Sequence, residues 1–384
     1  MWRNIASNAL TLFIVIMVAV AGFIGWAQNQ YRTQGPLAAA ICLRVDSGSN
    51  FNNVSNSLLE QDAISYGMLF RVGADYEEKS QALKAGSFLV PEGASMQEIV
   101  DIVTRGGQST CGTEVVYRIG VVSSQLQLRE LDPVSNSYQL TTAFDPKAED
   151  VPAEYTAAIQ DGDVRFRLAM AEGVTSWQVV DALNAIEFLS GEISDVPAEG
   201  SLAPDSYEVR AGADRNELIG QMVAKQEVIL AEAWSNRATG LPIDTPEEAL
   251  ILASIIEKET GVAEERRQVA SVFTNRLDRG MRLQTDPTVI YGITNGQGIL
   301  GRGLRQSELR RATPYNTYVI EALPPTPIAN PGKASIEAAV DPDSTKYVFF
   351  VADGTGGHAF AETLDQHNEN VARWRKIEAE RTSQ

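Results

Sequence analysis

The chain has 384 residues, and at about 150 residues per domain this length predicts two or three domains. Its 50 acidic residues outnumber its 32 lysines and arginines, and the net charge of −18 argues against nucleic acid as a partner because phosphate backbones are also negative. With only two histidines and two cysteines, the chain is expected to hold no metal and no cofactor. Any catalysis would then depend on carboxylates, hydroxyls and amides.

The first predicted element is an apolar helix at residues 10–27, which follows a short tail at residues 1–9. About 18 residues, at a rise of about 1.5 Å each, are enough to cross the hydrocarbon core of a bilayer. A cleaved secretory signal is the alternative, but the run is long for a signal and no clear cleavage site follows it. The flanking charges are too similar to set the orientation, although a lone anchor near the N-terminus usually leaves a short cytoplasmic tail and exports the rest.

Two cysteines, Cys42 and Cys111, each lie beside a β-branched, strand-like stretch. If these stretches are neighbouring strands, the thiols are close enough to form a disulfide in an oxidising compartment. Closing so long a loop would stabilise the fold by about 4 kcal/mol on the chain-entropy model. Two unrelated buried thiols are the alternative.

Helical spacing of apolar residues predicts three helices between the cysteines, at 52–61, 64–72 and 95–104. The third opens on a Ser-x-x-Glu capping box. Together with the strand-like stretches, these helices indicate a small α+β module at 38–112. No residue of this module suggests chemistry.

Two further regions separate the module from the C-terminal part. Residues 113–164 are polar and alternate weakly, which predicts an insertion or an extended hairpin. Residues 165–240 predict an intermediate α+β region with helices at 176–185 and at about 216–236. A Gly- and Pro-containing linker at 240–244 follows.

After the linker, a helix is predicted to begin at Thr245, with proline at its first position, and to stop at Gly261. Glu259 lies in its last turn, on the same face as the apolar residues three, four and seven positions earlier. Burial on this face and the negative end of the helix dipole would both raise its pKa. A carboxylic acid that stays protonated near neutral pH suits the protonation of a glycosidic oxygen. The alternative is a solvated glutamate at the end of a surface helix.

The C-terminal part carries a series of short motifs in a fixed order. They are Ala253–Thr260, Val269–Phe273, Asn275–Leu277, Met281–Gly292, Thr313–Tyr318, Leu323–Pro325, Asn330–Gly332 and Phe349–Gly354 with Gly357–His358. Over roughly residues 241–370 these motifs resemble the endolytic murein transglycosylases of the MltG or YceG-like type. The resemblance implies an α+β fold with a lysozyme-related catalytic domain at 241–384, and the module at 38–112 looks like the LysM-like part of that family.

The resemblance also implies a reaction. In the family the catalytic acid is the glutamate that precedes a threonine, which here is Glu259, the residue that the helix face selects independently. The acid protonates the bond between N-acetylmuramic acid and N-acetylglucosamine and then takes the proton of the muramyl C6 hydroxyl, leaving a 1,6-anhydromuramyl end. One protein carboxylate is sufficient, because the acetamido oxygen of the substrate can stabilise the anomeric centre. The family further implies a role in terminating the elongation of nascent strands.

A set of candidate substrate-binding residues follows from the same resemblance. They are Gln284, Thr285, Asp286, Tyr291, Tyr315, Asn316, Tyr318 and His358. Amides suit acetamido and hydroxyl groups, and tyrosine rings suit the apolar faces of sugars. Structural roles are the alternatives: Asp286 as the N-cap of a turn at 288–291, Tyr291 in the core, His358 in its hairpin, and the others in loop packing.

The resemblance places the protein in the bacterial inner membrane with a single span and its catalytic domain in the periplasm. Its expected partners are peptidoglycan glycan strands and, by family analogy, penicillin-binding proteins and other proteins of cell-wall synthesis. A muramidase that uses water, a non-catalytic peptidoglycan-binding anchor and a structural division protein remain alternatives.

Overall fold

The computed structural model describes residues 2–105, 109–147, 150–160 and 163–382. Met1 of the predicted tail and the last two residues of the predicted catalytic domain lie outside the described residues. The chain forms two compact units, and it passes between them several times. Unit 1 comprises residues 1–115, 127–143 and 151–165, and unit 2 comprises residues 116–126, 144–150 and 166–384.

The first helix, α1 at Trp2–Arg32, contains the predicted anchor. Its stretch Ser7–Arg32 contains an 18-residue window with a mean hydropathy of 2.5 and is long and apolar enough to cross a membrane. The apolar side chains from Leu10 to Trp26 are largely exposed, as expected of a surface that faces lipid. Tyr31, in contrast, is buried against Gly73 of unit 1, where an added Cβ atom would overlap the Tyr31 ring. The helix therefore runs directly into the core of unit 1.

Unit 1 continues with two strands and three helices around one apolar core. They are β1 (Ile41–Val45), α2 (Phe51–Glu60), α3 (Gly67–Tyr76), β2 (Gly86–Val90) and α4 (Met96–Thr104). The two strands pair antiparallel, with Cys42 opposite Leu89. Leu43, Leu58 and Phe70 are fully buried between strands and helices.

The predicted helices of this module are found, but the second lies at Gly67–Tyr76 instead of 64–72. The capping box forms at the start of α4, where the Ser95 hydroxyl accepts from the Glu98 N–H and the Glu98 carboxylate accepts from the Ser95 N–H. The second helix begins at Gly67, three residues later than predicted. Ile64 supplies the apolar periodicity from the turn after α2, where it is buried in the same core. Cys42 and Cys111 are joined as a disulfide, with their Cα atoms 5.7 Å apart.

The region predicted as an insertion or extended hairpin contains regular structure. It forms β3 (Thr113–Ile119), β4 (Ser124–Asp132), β5 (Ser137–Phe144) and a short helix α5 (Ala153–Gln160). With β6 (Val164–Met170) and β7 (Ser206–Val209), these strands make a five-stranded sheet in the order β5-β4-β3-β6-β7. β6 and β7 pair antiparallel, with Leu168 opposite Tyr207.

Most of the remaining elements of unit 2 are helices. It contains α6 (Ser176–Asn184), α7 (Arg215–Ser235), α8 (Pro246–Glu259), a 3₁₀ helix (Ala263–Glu265), α9 (Arg266–Asp278), α10 (Asp286–Thr294), α11 (Gln306–Leu309), α12 (Lys333–Val340), the antiparallel hairpin β8 (Phe349–Ala352) and β9 (His358–Ala361), and α13 (Leu364–Thr382).

The helix α8 is the centre of this unit. Its side chains are buried almost continuously from Ile251 to Ile256, and they pack against α9 and α12. Burial of each such leucine or isoleucine contributes about 1.5–3 kcal/mol, so the position of the helix is strongly constrained. The predicted start is correct, because the Thr245 hydroxyl accepts from the Glu248 N–H and proline follows the cap. The helix ends at Glu259, where Thr260 turns to an extended conformation, rather than at Gly261 as predicted.

Candidate active site

The side chain of Glu259 projects from the last residue of α8, where it remains partly exposed beside buried neighbours. Its Oε1 atom accepts a hydrogen bond from the hydroxyl of Thr285. Burial raises the pKa of the Glu259 carboxyl above its usual range, and the charge of Asp286 raises it further. The Thr285 hydrogen bond and the charges of His358 and Arg276 act in the opposite direction, but the net shift is upward. This environment therefore favours the protonated form of Glu259, and the Thr285 hydroxyl holds one of its two oxygens.

Thr285 is held in place by a second threonine from a distant part of the chain. Its backbone N–H donates to the hydroxyl of Thr317 at 3.0 Å, and the Thr317 hydroxyl lies 2.9 Å from that of Thr288. The three threonines are buried, and the N–H of Gln284 donates to the Thr317 carbonyl at 3.1 Å. Sequence analysis identified Thr285 but neither Thr288 nor Thr317, although Thr317 lies within the Thr313–Tyr318 motif.

Gln284 has a backbone φ of +49°, in the left-handed region that non-glycine residues seldom adopt. Its side chain is exposed, although it lies next to buried Thr285. The backbone bond to Thr317 holds this conformation and presents the amide at the surface beside Glu259's partner. This exposure leaves the Gln284 amide available to a ligand.

Asp286 is the first residue of α10, and the N-cap position belongs to Thr285. The predicted capping role of Asp286 is therefore wrong by one residue, because the helix starts earlier than the proposed turn at 288–291. The Asp286 carboxylate is exposed and its Oδ1 accepts a hydrogen bond of 2.7 Å from the hydroxyl of Tyr318. Burial, followed by this hydrogen bond, raises the pKa of Tyr318. Tyr318 and Asp286 thus form a pair beside the acid.

Asn316 was expected to bind substrate, but its side chain is completely buried. Its Nδ2 atom donates to the carbonyls of Glu308, Leu309 and Arg311 at 2.7–3.1 Å, and its Oδ1 atom accepts from the N–H of Tyr318 at 3.0 Å. Both ends of the amide are thus used within the protein. The geometry supports the alternative, a structural role in which Asn316 fixes the segment around α11.

Tyr291 and Tyr315 pack together with their ring centroids 5.0 Å apart. The Tyr291 hydroxyl donates to Oε2 of Glu199 at 3.1 Å, and the Tyr315 hydroxyl lies 2.8 Å from that of Thr326. Burial raises the pKa of both Tyr291 and Glu199. Both rings pack against the apolar core and are also partly exposed. This position is compatible with both of the roles left open by the sequence, packing in the core and contact with a ligand.

His358 is the first residue of β9 and is bound to Glu265 of the 3₁₀ helix. Its ring Nδ1 atom lies 2.9 Å from Oε2 of Glu265, and its backbone N–H donates to Oε1 at 2.9 Å. These two bonds fix the hairpin and support the structural role. The imidazole still influences the acid, since its charge lowers the pKa of Glu259.

Arg276 of α9 is a buried cation that sequence analysis did not single out, although it lies in the Asn275–Leu277 motif. Its guanidinium donates to the carbonyl of Val348 at 2.7 Å and to that of Leu283. It therefore ties the segment before Thr285 to the β8–β9 hairpin. Its charge lowers the pKa of Glu259 and would stabilise the carboxylate form. Among the described residues, no cluster of three or more histidine, cysteine or acidic side chains could hold a metal ion.

The fold and this geometry define a candidate acid catalyst, in which a carboxyl with a raised pKa lies at the end of a buried helix with Tyr318 and the exposed amide of Gln284 nearby. A model of the YceG-like family matches residues 138–373, which is more than half of the chain, and the chain belongs to this family. The match includes α8, α10 and the β8–β9 hairpin, the elements that position Glu259 and its partners.

Individual proteins are similar over most of the chain. The endolytic murein transglycosylase of Bacillus subtilis (strain 168) is 28% identical over 333 residues, which cover 85% of this chain and 82% of that protein. An endolytic murein transglycosylase of Streptococcus pneumoniae (serotype 2, strain D39) is 26% identical, and the match covers 86% of this chain but 58% of that longer protein. A solved structure of a yceG-like protein from Listeria monocytogenes is 23% identical, covers 86% of this chain and 98% of its own, and has a TM-score of 0.46.

Proposed function

We propose that the chain is an endolytic murein transglycosylase, a lyase that cuts the bond between N-acetylmuramic acid and N-acetylglucosamine within glycan strands. The observation that carries this proposal is Glu259, an acid with a raised pKa whose Oε1 atom is held by Thr285. Two similar proteins that match more than four-fifths of this chain bear the same activity in their names.

In the proposed mechanism, Glu259 acts first as acid and then as base. The protonated carboxyl donates its proton to the glycosidic oxygen as the bond to the anomeric carbon breaks, and the N-acetylglucosamine side leaves as an alcohol. The resulting carboxylate takes the proton of the muramyl C6 hydroxyl, whose oxygen bonds to the anomeric carbon and closes the 1,6-anhydro ring. Arg276 and the Thr285 hydroxyl stabilise the carboxylate between the two steps. No water is consumed and the acid is regenerated.

Substrate contacts are proposed for the exposed and partly exposed groups around Glu259. The free amide of Gln284 suits an acetamido group, and the Tyr318–Asp286 pair offers hydrogen bonds to sugar hydroxyls. The partly exposed rings of Tyr291 and Tyr315 suit the apolar face of a sugar. Thr285 acts on Glu259 rather than on the sugar.

The wider organisation is proposed on the resemblance to the family. The N-terminal helix anchors the protein in the inner membrane, and the remainder, with a LysM-like module at 38–112 and a lysozyme-related domain at 241–384, lies in the periplasm. The disulfide between Cys42 and Cys111 supports an oxidising compartment. Termination of nascent strands, and contact with penicillin-binding proteins or other wall-synthesis proteins, belong to the same proposal.

The proposal is tested by muropeptide analysis of purified sacculi treated with wild-type protein, Glu259→Gln and Glu264→Gln. Glu264 is the matched control, because it is an exposed glutamate of the 3₁₀ helix in the same unit. We expect 1,6-anhydromuramyl ends from wild type and Glu264→Gln and none from Glu259→Gln.

Each other result selects an alternative. Reducing muramyl ends would identify a muramidase that uses water. Binding to sacculi without any new ends would leave a non-catalytic anchor, and full activity of Glu259→Gln would remove Glu259 as the acid.

A further inference from the structure

The charge of the chain is unevenly distributed around the candidate site. From Pro287 to Ile320 the sequence contains one acidic residue, Glu308, although acids make up 50 of the 384 residues. The same segment contains four arginines, all between Arg302 and Arg311, so its net charge is +3 in a chain of −18. It also carries the three tyrosines of the candidate site. A positive segment of a strongly negative protein is therefore the part proposed to contact the sugar.

The four arginines surround the short helix α11 and are exposed. Their side chains belong to Arg302, Arg305, Arg310 and Arg311. Arg302 makes a two-pronged ion pair with Glu308, at 2.6 and 2.9 Å, and this pair lowers the pKa of Glu308 to about 2. Arg310 donates to the side chain of Gln306 at 3.3 Å. Arg302 neutralises Glu308, the one acid of the segment, so the net charge of the segment comes from Arg305, Arg310 and Arg311.

The arginine segment is fixed to the candidate site by Asn316. The buried Asn316 amide donates to the carbonyls of Glu308 and Leu309, the last two residues of α11, and of Arg311, two residues beyond it. The next residue, Thr317, bonds to the backbone of Gln284 and Thr285. Hydrogen bonds of two consecutive residues, Asn316 and Thr317, thus connect the backbone of Arg311 with Thr285, the partner of Glu259. The cations are held at a defined place relative to the acid rather than on a free loop.

We propose that Arg305 and Arg311, assisted by Arg310, bind the carboxylates of the peptide stems that project from the glycan strand. This inference rests on the proposed function and adds a substrate-recognition site to it. A cut within a strand always has stem-bearing muramyl residues on either side, whereas a lipid pyrophosphate is present only at the strand end. Arginine binds carboxylates through paired N–H donors, which suits this ligand. The local charge also offsets the repulsion between an anionic strand and a protein of net charge −18.

The test measures binding without cleavage, in full-length protein carrying Glu259→Gln. The probes are soluble glycan strands with intact uncrosslinked stems, the same strands after an amidase has removed the stems, and strands that retain the lipid pyrophosphate. Arg305→Gln/Arg311→Gln is compared with Arg375→Gln/Lys376→Gln, which removes two exposed positive charges from α13 in the same unit. Thermal unfolding of each variant verifies that it is folded.

We expect the Arg305→Gln/Arg311→Gln change to weaken binding of stem-bearing strands by about 3- to 10-fold, from two exposed charge contacts of up to about 1 kcal/mol each. The preference over stripped strands should fall by the same factor, and the salt dependence of binding should become shallower. The α13 variant should retain the parental preference.

The inference is overturned if the arginine variant binds stem-bearing and stripped strands as tightly as its parent does, or if its affinity for both falls by the same factor. It is also overturned if only the binding of pyrophosphate-bearing strands is weakened. These results are independent of the proposed function, which is judged by the products of the wild-type enzyme. A protein that forms anhydro ends yet shows no stem preference would contradict this inference alone.

Discussion

The hydroxyl of Thr285 donates a hydrogen bond to Oε1 of Glu259 and so joins the start of α10 to the end of α8. The bond has two consequences for an acid catalyst. It lowers the pKa of Glu259 against the larger effect of burial, and it occupies one carboxyl oxygen so that the transferable proton resides on the other. A proton on a fixed atom is what general acid catalysis needs, because the donor must meet the glycosidic oxygen in one geometry.

Replacing Thr285 with valine should remove this bond while preserving shape. Since the hydrogen bond favours the carboxylate, its loss raises the pKa of Glu259, and the alkaline limb of the pH–rate profile should move to higher pH. The kcat at the optimum should fall about tenfold, because the Glu259 carboxyl would no longer be held in one orientation. The measurement is the release of anhydro ends across pH 4–9. Thr285→Ser keeps the hydroxyl donor and should have the alkaline limb of the wild-type protein. An unchanged alkaline limb in the valine variant would contradict the effect of Thr285 on the pKa of Glu259.

Glu259 should reduce the stability of the fold at neutral and alkaline pH. Its pKa is raised on folding above the ordinary value of 4.5, so ionisation opposes folding. The cost is absent below about pH 4.5 and grows as the pH rises through the raised value. Glu259→Gln should therefore be more stable than wild type at pH 8, by on the order of 1 kcal/mol or about 2–4 °C in Tm, and equally stable at pH 4.

The exposed Glu264 serves as the control for this comparison, since Glu264→Gln should unfold like wild type at both pH values. Calorimetry of the three proteins at pH 4 and pH 8 makes the measurement. A Glu259→Gln protein that is destabilised at pH 8 would show that the carboxylate is compensated within the fold.

Asn316→Ala should primarily reduce stability. The substitution leaves three carbonyls around α11 without their donor and removes the acceptor of the Tyr318 N–H, at a cost of about 2–4 kcal/mol. Urea unfolding of unit 2 makes the measurement. If Asn316→Ala unfolded like wild type, the hydrogen bonds of the Asn316 amide would not be what holds the segment around α11.

Gln284→Asn is the counterpart of this change. Asparagine tolerates the left-handed backbone at this position, so the variant should be as stable as wild type while its KM for glycan strands is raised.

Local features of the sequence were sufficient to predict the position of Glu259 at the end of its helix, but not the residues that surround it. The periodicity of α8 and its N-terminal cap depend on residues within one helix, so they placed Glu259 on the buried face. The partners of Glu259 come from other elements: Thr285 and Thr317 from two loops, and Arg276 from α9. Their contacts depend on how helices pack, which no local pattern specifies.

The polar residues of the motifs were harder to interpret than the helices. Asn316 and Gln284 are both amides in family motifs, yet one is fully buried and saturated while the other is exposed. The N-cap position was assigned to Asp286 instead of Thr285, because either residue type can cap a helix that has proline in its first turn. Burial decides between structural and binding roles in such cases, and burial is a property of the tertiary fold.

The disulfide between Cys42 and Cys111 should stabilise unit 1 without affecting the chemistry of unit 2. The two residues are 69 positions apart, so on the chain-entropy model their cross-link stabilises the folded state by about 4 kcal/mol. A Cys42→Ala/Cys111→Ala protein should unfold at lower denaturant concentration, with a loss of about 2–4 kcal/mol. Cleavage of glycan strands at 25 °C should persist, because every contact of Glu259 described above lies within unit 2.

Peptide maps of the protein isolated from its native membrane, with and without a reductant, establish whether the bond is present. A peptide pair that separates only after reduction is the expected result, whereas two free thiols would contradict the cross-link and weaken the argument for an oxidising compartment. If the bond is present but the double variant is as stable as wild type, the antiparallel pairing of β1 and β2 with the surrounding core is sufficient to hold unit 1. The stability that the variant loses therefore measures how much this small core depends on its cross-link.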